Sequence, residues 1–257
     1  MSEGGLECRR LTLVRRDGAG AERPVLDELE ATFAAGQLAV VSGVTGAGKS
    51  TLLHLLAGLL RPTSGEVWAG GESVSRFLGS HRDRWRRQVG LVFQGTNQLW
   101  PDLTAAENVM LPLVPRGQGQ AALRRRVAAA MDRLGTLTLG QRAAGELSVG
   151  EQQRVAVARA LVVAPTYLLA DEPTAHQDPA GLELVMAALT EAREGGTTVV
   201  VASHDPRVVD GSYAERHWRL DEGRLVAGAD PVAPATDSEP PSSSQRRGTD
   251  GKAGDET

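Results

Sequence analysis

Gly43-Val44-Thr45-Gly46-Ala47-Gly48-Lys49-Ser50-Thr51 fits the pattern G-x-x-x-x-G-K-[ST]. It follows the short apolar run Leu38–Ser42 and opens a stretch, 49–60, whose leucines recur at helical spacing. Strand, glycine-rich turn and helix in that order form a cradle for phosphate. The glycines let backbone N–H groups converge on an anion without Cβ clashes, and the helix N-terminus adds partial positive charge. Lys49 places a compact ammonium against the β- and γ-phosphates, and the Ser50 hydroxyl can ligate Mg²⁺. Of 28 basic residues only Lys49 and Lys252 are lysines. A lysine retained against such an arginine bias does something that a planar guanidinium cannot.

Downstream, 89–93 is another short apolar run, and 104–113, 120–134 and 150–163 are expected helices, the last ended by Pro165. A strand over 167–170, a helix over 182–193 and a strand over 197–202 complete a further unit. Strands alternating with helices predict an α/β fold with a parallel sheet covered on both faces. The stretch from about 95 to 160 shows helical spacing without strands, so a helical lobe inserted into the sheet domain is expected. No internal repeat is present. From Gly228 onward Pro231, Pro234, Pro240, Pro241 and Ser242–Ser244 set a composition too polar to offset its ordering entropy, and 228–257 is expected to be a disordered tail.

Tyr167-Leu168-Leu169-Ala170-Asp171-Glu172 is an apolar run ending in two carboxylates. Strand ends of parallel sheets face the ligand crevice, which puts both acids near the glycine-rich loop. Asp171 would then hold Mg²⁺, and Glu172 would polarise an attacking water as general base.

Leu147-Ser148-Val149-Gly150-Glu151-Gln152-Gln153-Arg154 resembles the signature of the ABC ATPases, usually Leu-Ser-Gly-Gly-Gln. In that family Ser148, Gly150 and Glu151 would meet the γ-phosphate held by the opposite subunit. Val92-Phe93-Gln94 resembles the Q-loop, whose glutamine touches Mg²⁺, so Gln94 joins Ser50 and Asp171 as a metal contact and Glu172 as a catalytic one. Ala175-His176-Gln177-Asp178 stands where the D-loop belongs, and Ser203-His204 is similar to the switch histidine that contacts the γ-phosphate. Val44, Thr45, Ala47 and Thr51 complete the nucleotide loop, and Asp178 is added on the D-loop match. The resemblance covers about residues 6–227. It implies a P-loop NTPase core with a RecA-like parallel sheet, an N-terminal antiparallel β subdomain and an inserted helical subdomain, binding ATP and Mg²⁺. Residues 99–113, from Leu99-Trp100-Pro101 to Leu111-Pro112-Leu113, are similar to the lipoprotein-release and macrolide-export group, where this segment receives a permease's coupling helix.

Three positions depart from the pattern. Val149 replaces a signature glycine, Gln177 replaces the usual D-loop leucine, and the adenine-stacking aromatic expected near residues 14–16 is missing, with Arg15 the candidate to stack instead.

Composition narrows the partners. With 41% hydrophobic residues the 257-residue chain can bury a core, and no apolar stretch is long enough to span a bilayer. Residues 1–10 lack the apolar core of a signal peptide. The one cysteine, Cys8, gives no disulfide framework and fits a reducing compartment. A net charge of −4 and 4% aromatics argue against nucleic acid, and the arginines around 82–87 and 124–126 read as solvated helix faces. The resemblance implies an ATPase subunit on the inner face of the cell membrane, working in the cytoplasm with a second ABC subunit and a separate integral membrane permease, in export or in extraction from the membrane. An ATP-gated regulatory module of a membrane complex and a soluble ABC ATPase acting on ribosome or DNA remain alternatives; a single cassette without a long heptad run counts against the latter.

Overall fold

The computed structural model describes residues 4–227 apart from 17, 19, 77, 96, 97 and 118; the expected disordered tail lies outside the described residues. The chain begins with β1 (Leu6–Arg16), β2 (Glu22–Phe33) and β3 (Leu38–Ser42), then α1 (Lys49–Leu56), β4 (Ser64–Ala69), β5 (Glu72–Ser73), α2 (Ser80–Arg86) and β6 (Val89–Val92). The helices α3 (Ala105–Met110), α4 (Gln120–Arg133) and α5 (Val149–Leu161) follow. Next come β7 (Tyr167–Asp171), α6 (Pro179–Glu194), β8 (Thr198–Ala202), α7 (Pro206–Val209), β9 (Arg216–Asp221) and β10 (Arg224–Ala227).

The strands form two sheets. One is antiparallel, in the order β2-β1-β4-β5; the other runs β10-β9-β3-β8-β7-β6. In the second sheet β9, β3, β8, β7 and β6 are mutually parallel, and only β10 is reversed. The carboxyl ends of β3, β8, β7 and β6 therefore share one edge, where the site is built.

The central parallel strands β3, β7 and β8 are buried on both faces and lack polar alternation. Their side chains still sort by parity. Leu38, Val40, Val199, Val201, Leu168 and Ala170 pack with α5 and α6, whereas Ala39, Val41, Val200, Ala202 and Leu169 pack with the leucines of α1 and with the antiparallel sheet. The loop after β3 is thus anchored between two cores.

Several expected helices end early for identifiable reasons. The helix expected over 49–60 stops at Leu56, since Gly58 adopts a left-handed conformation and the Leu59 and Leu60 N–H groups turn back to the His54 carbonyl. The helix expected over 104–113 is α from Ala105 to Met110 and then 3₁₀ from Leu111 to Arg116, because Pro112 and Pro115 lack the N–H groups an α-helix would use. The α5 helix ends at Leu161, ahead of Ala164, which has a positive φ, and Pro165. Between β6 and β7 the described residues hold helices and no strand, only an isolated bridge from Thr104 to Ala143.

The D-loop is fastened to α5 by a side chain that the sequence marks as unusual. Gln177, buried, donates to the Gly150 carbonyl at 2.9 Å and accepts from Arg154 Nη1 at 2.8 Å. This amide has room only because residue 181 is glycine: a Cβ there would overlap Gln177 Oε1 and lie 2.9 Å from the Asp178 carboxylate that caps α6. Gly181→Ala is accordingly expected to cost about 1–2 kcal/mol in urea unfolding by expelling the amide from its two bonds. In a Gln177→Ala background the same change should cost less, with the close approach to Asp178 remaining. Additive losses would show that the two residues do not share this space.

Candidate nucleotide site

The turn between β3 and α1 depends on glycine where backbone approaches backbone. Gly43 and Gly48 have φ of 153° and 106°. A Cβ on Gly43 would overlap the Leu220 carbonyl oxygen, and one on Gly48 would lie 3.0 Å from the Val25 carbonyl oxygen. The loop and the first turn of α1 line a shared concavity. Lys49 folds back over the loop, donating from Nζ to the Gly43 carbonyl at 2.8 Å and the Val44 carbonyl at 3.3 Å.

The end of β7 lies across from it. Asp171 and Glu172 are each only 3% exposed, and Lys49 Nζ stands 3.9 Å from Glu172 Oε1. Glu172 itself adopts φ 50°, an uncommon state for a residue with a Cβ. Its N–H holds the Ala202 carbonyl at 2.9 Å, and Gln153 Nε2 donates to its carbonyl at 3.3 Å. The Glu172 carboxylate accepts from the Ser203 hydroxyl at 3.2 Å, and His204 Nδ1 lies 2.6 Å from its Oε1. The His204 ring is otherwise open, its side chain 60% exposed.

Asp171 is held differently. Burial pushes its carboxyl up from the usual range, a hydrogen bond with Ser50 pulls it down, the neighbouring Glu172 charge raises it, and His54 and Lys49 lower it. Asp171 Oδ1 is buried with no hydrogen-bond partner. A buried carboxylate oxygen left unpartnered beside a hydroxyl is the donor set a hard divalent cation takes, completed by phosphate oxygens and water. Mg²⁺ fits these residues.

A cavity of about 300 Å³ joins these parts. Thr45, Gly46, Gly48, Lys49, Ser50 and Thr51 line one wall, and Gln94, Asp171, Glu172 and His204 line the facing one. The third wall comes from β1 and β2 through Arg15 and Val25. Arg15 thus occupies the place where the missing aromatic was expected. Val25 was not anticipated, and neither was Ser203 as a partner of Glu172.

The remaining anticipated residues lie outside this lining, Gly43, Val44 and Ala47 of the loop itself among them. Ser148 and Glu151 cap α5 reciprocally: the Ser148 N–H donates to Glu151 Oε2 at 2.8 Å, and its hydroxyl accepts from the Glu151 N–H at 3.3 Å. The bond from the Ser148 N–H is the main cause holding the Glu151 carboxyl below its usual range. Val149, the departure from the signature, opens α5 with an outward-facing, 39% exposed side chain, so a Cβ is accommodated there. At Gly150 it would not be: a Cβ would lie 2.8 Å from the His176 carbonyl oxygen. Asp178 is the N-cap of α6, accepting from the Gly181 N–H at 2.7 Å.

Comparison with known proteins agrees with this arrangement. The ABC transporter family matches over residues 26–175. The cell division ATP-binding protein FtsE of Escherichia coli K12 is 41% identical over 193 residues, 75% of this chain and 86% of that protein. The lipoprotein-releasing system ATP-binding protein LolD of Chromohalobacter salexigens is 39% identical over 225 residues, 86% of this chain and 92% of that one. Among solved structures, the dimeric ATP-binding cassette MJ0796 in a post-hydrolysis state with ADP and Pi superposes with a TM-score of 0.80 at 32% identity, covering 86% of this chain and 96% of its own. The glycine-rich cradle, the buried carboxylate pair and these likenesses place the chain in the ABC transporter family as one of its ATP-hydrolysing ATP-binding subunits, consistent with the lipoprotein-release group.

Proposed function

We propose that the chain powers export, or extraction from the membrane, by a transporter whose permease is a separate polypeptide, and that it does so as one of two cassettes closing on two ATP molecules. The observation that carries this is the division of anticipated residues between two places. Thr45, Gly46 and residues 48–51 of the P-loop line one cavity with Gln94, Asp171, Glu172 and His204, while Ser148, Val149 and Gly150 sit at the N-terminus of α5 outside it. A second cassette supplying its own α5 would complete the site, and the dimeric likeness of MJ0796 supports that reading.

Within the site, loop N–H groups and Lys49 bind the triphosphate, and Arg15 stacks on adenine. Ser50, Asp171 and Gln94 would hold Mg²⁺, which would supply positive charge against the phosphates. Glu172 accepts a proton from water as its oxygen attacks the γ-phosphorus and the bond to the β-phosphate oxygen breaks. His204 keeps the Glu172 carboxylate aimed and offers its open face to the γ-phosphate. Ser148, Gly150 and Glu151 meet that phosphate from the other subunit, with Asp178 holding the D-loop end of α6.

No described helix is long and apolar enough to cross a membrane. In this reading the transport path belongs to the permease, and the chain works on the inner face of the cell membrane. Phe93, Trp100, Leu111 and Val114 are large apolar side chains left exposed, Trp100 by 65%, on the segments flanking Gln94 and following α3. They are the surface assigned to the permease. The likeness to a cell division ATP-binding protein, whose name mentions no transported substrate, leaves room for a second reading, in which the same closure signals to a membrane complex; ATP turnover uncoupled from any transported molecule would favour it.

Glu172→Gln should retain ATP binding while hydrolysis falls about a hundredfold or more, as single-turnover phosphate release would report. Turnover equal to the parent's would remove Glu172 from the chemistry. Arg15→Ala should weaken ATP binding about two- to fivefold in calorimetric titration yet leave inorganic tripolyphosphate binding unchanged. An equal loss for both ligands would mean that Arg15 acts through charge alone.

A further inference from the structure

The segment after β6 continues past Gln94 into a series of side-chain amides with a fixed direction. The Phe93 N–H donates to Gln98 Oε1 at 2.8 Å, which leaves Gln98 Nε2 to donate to the Gly95 carbonyl and to Gln153 Oε1, each at 2.9 Å. Gln153, buried on α5, then donates from Nε2 to the Glu172 carbonyl at 3.3 Å. One terminus is a backbone N–H that can only donate and the other a backbone C=O that can only accept, so both amide orientations are determined. Arg159, also on α5, donates to the Gln98 carbonyl at 2.6 Å.

On its other side Gln98 is tied to an exposed indole. Leu99 is buried, and Trp100 is clamped by the fully buried Asn108, whose Oδ1 accepts from the Trp100 N–H at 2.8 Å and whose Nδ2 donates to the Trp100 carbonyl at 3.0 Å. The Trp100 ring is thus rigidly based and open to solvent. The Glu172 end is equally constrained: its backbone has a positive φ and is gripped on both its N–H and its C=O. A shift of Gln98 cannot leave Glu172 undisturbed unless a hydrogen bond breaks in a water-poor setting.

We infer that Gln98 and Gln153 are positioning residues that couple the Trp100 face to the backbone of Glu172, so that nucleotide at Glu172 moves Trp100 and a partner pressing on Trp100 alters hydrolysis. The inference rests on the proposed role of Glu172 in hydrolysis. It needs no contact between either glutamine and the nucleotide.

The test uses the full chain and its variants Gln98→Glu and Gln153→Leu. Gln98→Glu keeps the acceptor for the Phe93 N–H and loses the donor to Gln153 and to the Gly95 carbonyl; at a half-buried position it keeps the test open if Gln153→Leu does not fold. Iodide quenching of Trp100, isolated by subtracting the Trp100→Phe signal, is measured with and without ATP and Mg²⁺, alongside ATP affinity and steady-state kinetics. The parent should show a nucleotide-dependent change in Trp100 quenching. The variants should lose that change and lose kcat about three- to thirtyfold while ATP affinity and KM hold. A Trp100 response surviving in variants that bind ATP, or absent from a parent that binds ATP, overturns the relay. If Glu172→Gln hydrolyses ATP like the parent, it is the role of Glu172 that fails, and that outcome is distinguishable from loss of the relay alone.

Discussion

Two carboxylates buried side by side at the end of β7 constrain everything around them. Asp171 and Glu172 sit 3% exposed on adjacent residues, and unpaired charge in such a setting is costly. Among the described residues Lys49 is the one buried lysine or arginine, and it arrives from the neighbouring turn with its ammonium 3.9 Å from Glu172. Ser203 and His204 follow β8, which lies between β3 and β7, and satisfy the rest of the Glu172 carboxylate. Asp171 Oδ1 is left unpartnered on a carboxylate that also bonds Ser50, the pair proposed to hold Mg²⁺. A parallel sheet with this strand order brings the cation, the hydroxyl and the histidine to one edge without long connections.

The signature helix α5 is the second organising element. Its N-terminus is closed by the Ser148–Glu151 box, its first turn is tied to the D-loop through Gln177, and its middle reaches Glu172 and Gln98 through Gln153. The departures from the family pattern make sense in this setting. Val149 stands at a helical position that tolerates a side chain, whereas neighbouring Gly150 packs too closely on His176 to carry one. Gln177 replaces an apolar side chain by a two-ended hydrogen bond, and Gly181 supplies the space. Arg15 sits on the cavity wall where the aromatic was missing.

The parallel core and the phosphate loop were legible in the sequence because each is encoded locally. The β3 run, the spacing of Gly43, Gly48 and Lys49, and the acidic end of β7 carry their own physics within a few residues. Element ends were less legible where a single residue overrides periodicity, as at Gly58 in the helix expected to reach residue 60 and at Pro112 and Pro115 beyond α3. Strands β1 and β2 escaped periodicity because their pairing is interrupted by register shifts between Cys8 and Val14, with Arg10 and Glu28 both at positive φ. Val25 and Arg15 reach the cavity only through that pairing. Gln98 and Gln153 lie 55 residues apart, and no spacing rule joins two glutamines across such a distance.

If each working site is assembled from two chains, two differently damaged chains should complement one another. Lys49→Ala removes the phosphate-binding cation, and Ser148→Arg blocks the helix end offered to the opposite nucleotide; each variant alone should be inactive. Mixed in equal amounts, they form some dimers in which an intact P-loop faces an intact signature, and ATPase activity should return to about a quarter of the parental value. A mixture no more active than its separate components would contradict the two-chain site.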